Sequence, residues 1–299
     1  MTSAWLNIYK PLGISSAKAV ALVKRAFKET KVGHTGTLDL EAEGVLPIAI
    51  GEATKLVSVL MNAKKQYEFT IKFGAKTNTA DGAGEVTATC DYIPTEQECI
   101  TICPKFIGRI SQTPPAYSAL KVGGKRAYKL ARAGQEVLLP KREVEIYDLR
   151  CTNYSAENNT ASYVCDCSKG TYIRTLAEDI SLSLQSLGFV IELRRSKVGI
   201  FDIANAINIT SYSERSSAEL NIILQEKCLK IESVLDDIPV LEATDQQAQQ
   251  IRFGQPCQFD DKTSYELVWV RHKSTIVAIG SLYSNNFKSS RVFNLNYGE

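Results

Sequence analysis

Gly33-His34-Thr35-Gly36-Thr37-Leu38-Asp39 is a run that no regular helix accepts cheaply, because each glycine carries extra backbone entropy that ordering must remove. With Gly44 and Pro47 following, the spacing predicts a loop from Gly33 to Pro47 with special backbone geometry. An aspartate in such a loop is most often a turn residue or a cap. What distinguishes this one is the chemistry around it. The chain has only two histidines, His34 and His272, and one of them sits five residues before Asp39. A GxSxG nucleophile elbow, a GxxxxGK[ST] phosphate loop and a GxGxxG dinucleotide loop are all missing, which removes the motifs for acyl transfer, nucleotide-driven and hydride chemistry. A zinc deaminase would need HxE with a later PCxxC, also missing. A loop carboxylate acting without those partners remains.

Upstream, Lys10-Pro11-Leu12-Gly13 is a turn signal, and Ser15 or Ser16 can cap a helix with Val20, Val23 and Phe27 on one face, ending near Lys31. Downstream, Glu52 to Ala63 reads as a short helix, and Tyr67, Phe69, Ile71 and Phe73 alternate with polar residues in the period of a half-buried strand. Thr95 and Glu98 form a capping-box pair before a helix that Pro104 should break. Strands are expected over Val144 to Tyr154 and Ala161 to Ser168. A helix is expected from near Thr171, striped by Ile173, Leu176, Ala177, Ile180, Leu184 and Leu187 and closed by Gly188 as a left-handed cap. Thr210 to Ala218 reads as a surface loop. After Glu232 the pattern turns to short strands, Leu267 to His272, Thr275 to Tyr283 and Arg291 to Leu295, the mark of a small appended β-rich domain.

At 299 residues, 44% hydrophobic and 23% charged, the chain can bury a core and is neither collagenous nor disordered. No apolar run approaches the ~20 residues that cross a bilayer, and the start lacks a secretory pattern, so a soluble, cytoplasmic protein is expected. Eight cysteines without CxxC spacing predict free thiols and no metal site. Charge is uneven: from Ala119 to Arg142 seven basic residues face only Glu136, a net +6 that leaves −4 for the rest of a chain whose total is +2. A basic arm on a mildly acidic body fits a polyanionic partner, and equally a solvated helix face.

Gly33 to Asp39, continuing through Gly44-Val45-Leu46-Pro47 to Gly51-Glu52-Ala53-Thr54-Lys55, resembles the catalytic motif of the TruB family of tRNA pseudouridine synthases. The likeness extends in order through Lys10-Pro11-Leu12-Gly13 with Ser15-Ser16, Lys65-Gln66-Tyr67 to Gly74 with Thr77, Thr79, Asp81 and Gly84, Gln112 to Ala119, and Cys167 to Leu176. It spans roughly residues 5 to 200. Two positions depart from the family pattern: Leu40, where proline is usual, and Glu43, where a small or hydroxylated residue is usual. They raise the question of loop rigidity and local charge.

The resemblance implies an α+β fold: a mixed-sheet pseudouridine synthase core with flanking helices over 1–231, a basic RNA-gripping insertion at 111–143, and a small PUA-like RNA-binding domain at 232–299. The reaction implied is isomerisation of uridine-55 in the T-loop of tRNA, with tRNA (T-loop and T-stem) as partner, no cofactor, no metal and no obligate protein partner. By motif match Asp39 takes the catalytic role, Arg174 pairs with it, Tyr67 stacks on the flipped base and Tyr172 accepts or relays the C5 proton. Arg174 opens a helix, where a cation opposes the dipole, so a purely structural role would be poorly explained. On the RNA side the expectation covers His34 as a wedge in the gap left by the flipped nucleotide, Lys10, Lys121, Lys125, Arg126, Lys129 and Arg132 as cationic contacts, and Leu193 lining the base pocket, although an ordinary core leucine fits Leu193 nearly as well. Two rivals stand beside this reading: a non-catalytic tRNA-binding chaperone of the same fold, and a synthase acting on other RNAs within a multiprotein particle.

Overall fold

The structure is a computed structural model that describes residues 2–295, apart from 29, 119, 136 and 138 and the side chains of Lys121, Tyr128 and Arg132. Among the described residues ten strands build one mixed sheet: β1 (Ala4–Lys10), β2 (Val32–His34), β3 (Glu43–Ile50), β4 (Lys65–Phe73), β5 (Gly108–Gln112), β6 (Arg142–Ser155), β7 (Thr160–Cys167), β8 (Gly188–Val198), β9 (Phe201–Asp202) and β10 (Ile207–Asn208). Their spatial order is β10-β1-β3-β8-β4-β7-β6-β5, with β2 on β3 and β9 on β8. The period-two run Tyr67 to Phe73 lies in β4, between β8 and β7, with Tyr67 opposite Arg195 on one side and Cys165 on the other.

The centre of this sheet is covered by the helix Ile173–Ser183, whose Leu176, Ala177 and Ile180 pack on Phe69, Ile71 and Tyr163. The helix Ser16–Ala26 packs Ala19 and Val23 against Leu6, Ile8 and Ile48 of β1 and β3. Ser15 is its cap, accepting from the Lys18 N–H at 3.1 Å.

Five further strands form a second sheet, β11 (Val240–Glu242), β12 (Cys257–Gln258), β13 (Tyr265–His272), β14 (Thr275–Tyr283) and β15 (Asn286–Val292), in the order β11-β13-β14-β15-β12. The fold is α+β with a β-rich C-terminal part. The two sheets share a hydrophobic cluster in which Trp5, Val45, Leu56 and Phe201 meet Trp269, Ile276, Ile279 and Phe293. Two residues of the Gly51 to Lys55 run add polar ties to it. Lys55 Nζ donates to Val292 O at 2.7 Å, and the Asn294 N–H donates to Glu52 Oε2 at 2.6 Å.

Three expectations need correction. The glycine-bracketed loop is shorter than Gly33 to Pro47, because β2 and β3 claim both ends: Pro47 pairs with Asn7, and its carbonyl takes the Thr35 N–H at 3.3 Å. Gly188 is not the cap of the preceding helix. That role falls to Gln185, at φ 57°, while the Ser186 N–H closes on Ser181 O at 2.9 Å. Gly188 starts β8 at a close approach, where a Cβ would stand 2.2 Å from Ser181 Oγ and 2.8 Å from Ile71 Cγ2. The last strand runs from Asn286 to Val292 rather than from Arg291, since the hairpin turn falls at the left-handed pair Ser284 and Asn285.

Candidate active site

The loop that joins β2 to β3 carries Asp39 and is fastened along its length. Ser16, freed from capping by Ser15, brackets Leu38: its Oγ donates to Leu38 O at 3.1 Å and accepts the Leu38 N–H at 2.9 Å. The Gly36 N–H donates to His34 Nδ1 at 3.2 Å, Gly36 O accepts from Arg195 Nη2 at 3.2 Å, and Ala42 N closes on Asp39 O at 3.2 Å. Leu40 does not loosen this arrangement, because its carbonyl accepts the Gly13 N–H at 3.1 Å. Its side chain points outward, 49% exposed. Glu43 becomes a strand-to-strand tie: its carboxylate accepts from Tyr9 OH at 2.5 Å and pairs with Arg194 at 2.6 Å. Burial pushes the Glu43 carboxyl up, but those two hydrogen bonds outweigh it and hold it below the usual range.

Arg174, in the first turn of the helix Ile173–Ser183 and only 6% exposed, is where three segments meet. Its Nη2 pairs with Asp39 Oδ2 at 2.8 Å and donates to Tyr117 O at 2.9 Å. Its Nη1 reaches Asp81 Oδ2 at 3.1 Å and Thr79 O at 2.8 Å. Asp81 is itself fixed by Thr79 Oγ1 at 2.6 Å and the Ala83 N–H at 3.2 Å. A guanidinium held on both edges cannot swing, so it presents one edge to Asp39. Asp39 is 47% exposed and opens on a cavity of about 80 Å³ bounded by Leu12, Asp81, Arg174, Val190, Ile191 and Leu193. A carboxylate fixed by a buried cation and open on its other side can act as nucleophile or base.

Tyr67 packs between the two cores of the sheet beside Leu193. Burial pushes its phenol above the ordinary range, against the pull of the Arg195 charge. Tyr172 caps the helix of Arg174, and Gln112 grips its backbone twice, accepting the Tyr172 N–H at 3.0 Å and donating to Tyr172 O at 3.3 Å. The Arg142 guanidinium lies 5.3 Å over the Tyr172 ring. The structure thus gathers Asp39, Arg174 and Leu193 on one cavity, while Tyr67, Tyr172 and His34 are not on its walls. His34 ends β2, half-buried, and burial lowers its pKa.

Lys10 does not present its charge to a partner. It is fully buried, its Nζ donates to Pro11 O at 2.9 Å and Ile14 O at 2.8 Å, and burial lowers its pKa to about 8. The reason is the register of β1, which pairs Lys10 with Gly44 and points the side chain under the turn that follows. Lys125, Arg126 and Lys129 are exposed on the hairpin Lys121–Val122/Lys125–Arg126 and the helix Ala127–Arg132. The side chains of Lys121 and Arg132 lie outside the described residues.

Three contributors to the site had no role assigned from sequence: Asp81, Gln112 and Arg195. Asp81 and Gln112 stood in quoted motifs, but which side chain each meets is a tertiary fact. Arg195 stood there too, since Leu193 with Arg194-Arg195 resembles the family's last motif, but no role was attached to it; it shares a strand face with Leu193 and so places a cation on an apolar side. Among the described residues no three His, Cys, Asp or Glu side chains are arranged to hold a metal ion, and no helix is long and apolar enough to cross a membrane.

A family model described as the N-terminal domain of TruB family pseudouridylate synthase matches residues 24–173. Proteins named tRNA pseudouridine synthase B are similar across the chain: one from Rickettsia bellii (strain OSU 85-389) is 59% identical over 295 residues, covering 99% of both chains. One from Rickettsia akari (strain Hartford) is 59% identical over 296 residues, covering 99% of this chain and 100% of that one. A chain from the solved structure of an H/ACA RNP bound to a substrate RNA containing 2′-deoxyuridine superposes with a TM-score of 0.72 at 20% identity, covering 98% of this chain and 85% of that one, a likeness of fold.

Proposed function

The chain belongs to the TruB family of pseudouridylate synthases, and on that premise we propose that it isomerises uridine-55 in the T-loop of tRNA with Asp39 as the catalytic carboxylate. The observation that carries the reading is the pairing of half-exposed Asp39 with buried Arg174 at 2.8 Å on the wall of a small cavity.

The reaction breaks the N1–C1′ bond, turns the uracil and joins C5 to C1′; C5 gives up its proton and the freed N1 takes one up, so there is no net gain or loss of atoms. Breaking a glycosidic bond leaves positive charge at C1′, which a carboxylate stabilises or traps, as in glycoside hydrolysis. Arg174 pairs with Asp39 and keeps it aimed, and Asp81 keeps Arg174 aimed. The base must leave its stack first, and Leu193 and Tyr67 offer it apolar and aromatic surface. Tyr172 serves the C5 proton, and His34 fills the space that the base vacates. The insertion 111–143 grips RNA phosphates, within the catalytic unit 1–231, and the β-rich unit 232–299 adds an RNA-binding surface. The chaperone alternative has no use for a two-sided clamp on Arg174.

The test is mass mapping of pseudouridine in a tRNA transcript incubated with purified protein. Wild type should modify the T-loop uridine, and Asp39→Asn should bind the transcript normally yet make no product. Retention of even a tenth of wild-type turnover by Asp39→Asn would refute the catalytic role.

A further inference from the structure

We infer that Arg195 is a positioning residue for this reaction: its buried guanidinium ties the loop bearing Asp39 to the centre of the sheet and so fixes the carboxylate against the base pocket. The inference rests on the proposed isomerisation and concerns a residue with no role in it so far.

Arg195 is only 2% exposed, and among the described residues no carboxylate lies within ion-pair distance of it. Two more cations are buried near it, Lys10 and Lys65, and each donates to backbone carbonyls alone. Burying an unpaired charge is costly, and an apolar side chain of like volume is usually as stable or more so. Stability alone therefore does not account for an arginine here.

What the arginine does, and an apolar chain cannot, is span two elements. Its Nε donates to Val45 O on β3 at 2.8 Å, and its Nη2 donates to Gly36 O in the loop at 3.2 Å, three residues before Asp39. The backbone from which it starts is rigid. Gly44, at φ 110°, lets β3 run so close to β8 that a Cβ there would stand 2.3 Å from Arg195 O. The guanidinium thus leaves a fixed backbone position directly opposite Tyr67 and reaches under the loop. Ser16 holds the loop at Leu38, and Arg195 holds it at Gly36. Between them they set where Asp39 emerges relative to Leu193 and Tyr67.

A fork of this kind is not replaced by a single ammonium. Arg195→Lys keeps the charge but not both bonds, and Arg195→Met keeps the volume and removes the buried charge. Single-turnover rate at saturating tRNA transcript, KM, transcript affinity and melting temperature would be measured for both, beside Leu220→Ala, a core truncation in the helix Ser217–Glu226 that removes none of the hydrogen bonds holding the loop. Displacing a catalytic group by about 1 Å can cost ~10²-fold in rate. Both Arg195 variants should lose turnover on that order, with KM and affinity within about threefold of wild type, while Arg195→Met melts near wild type and Leu220→Ala, though destabilised, turns over normally. Arg195→Met keeping more than about a third of wild-type turnover would overturn the role, as would a loss that tracks affinity or that Leu220→Ala shares. A wild type that leaves the transcript unmodified sinks the functional reading itself; an active wild type beside an active Arg195→Met sinks only the positioning role.

Discussion

His34 accepts the Gly36 N–H on Nδ1, which leaves the ring proton on Nε2. Burial lowers its pKa from the ordinary 6.5, and the nearby Arg195 charge acts in the same direction, so the ring is neutral at pH 7. The folded state then binds fewer protons at His34 than the unfolded chain. The stability this contributes is whole above about pH 6.5 and is lost as pH falls through the lowered value. Turnover should accordingly show no limb from His34 between pH 8 and about 6.5. If the ring works as a wedge, His34→Phe should keep several-fold more turnover than His34→Ala on folded tRNA, and the two should converge on a short unstructured RNA. Rates of both variants on both substrates from about pH 5.5 to 8 check this. Equal losses on folded tRNA, with an acidic limb removed in each, would make His34 an acid–base group instead. The residue types that carry the chemistry were legible in the chain, but Asp81 shows what was not: its role is a 3.1 Å contact to a side chain 93 residues away.

The basic insertion combines a two-stranded hairpin and a short helix with a backbone contact to the site, Tyr117 O on Arg174. Lys125 and Lys129 are exposed on it and available to phosphate. Replacing both by Gln should weaken binding to structured RNAs alike and flatten the slope of log affinity against log salt by roughly 0.7 to 0.9 for each phosphate no longer neutralised. Binding isotherms across a salt series give the slope, and an unchanged slope returns the segment to a plain solvated face. Element types were readable wherever periodicity was long, as in β4 and the helix after Tyr172. Their ends were not, because a helix stop depends on which residue accepts a left-handed backbone, and Gln185 did so three residues before the glycine expected to.

At the scale of the whole molecule, the two sheets are joined by one apolar cluster and by the Lys55 and Glu52 ties. Trp269, buried there with its Nε1 donating to Ile238 O at 3.1 Å, is a test point. Trp269→Ala should cost about 3–5 kcal/mol, the range for truncating a large buried aromatic. The loss should also reach the first sheet. Trp5 is the only other tryptophan, so its fluorescence in the variant reports that sheet alone. Its urea midpoint should fall with the midpoint of far-ultraviolet circular dichroism in one transition. A Trp5 midpoint unchanged from wild type would show that the sheets fold independently.

By itself the sequence determined the family, the α+β class, the central strand, the helix that carries Arg174 and the loop aspartate, because these rest on local period and on motifs written contiguously in the chain. Tertiary structure alone decided that Lys10 turns inward, that Glu43 ties Arg194 to Tyr9, that Arg174 is gripped from two sides and that Arg195 reaches beneath the loop. The Lys10, Glu43 and Arg195 contacts are set by strand register, which depends on how distant segments pair across the sheet rather than on the residues next in line, and the grip on Arg174 is set by distant loops converging on the start of one helix.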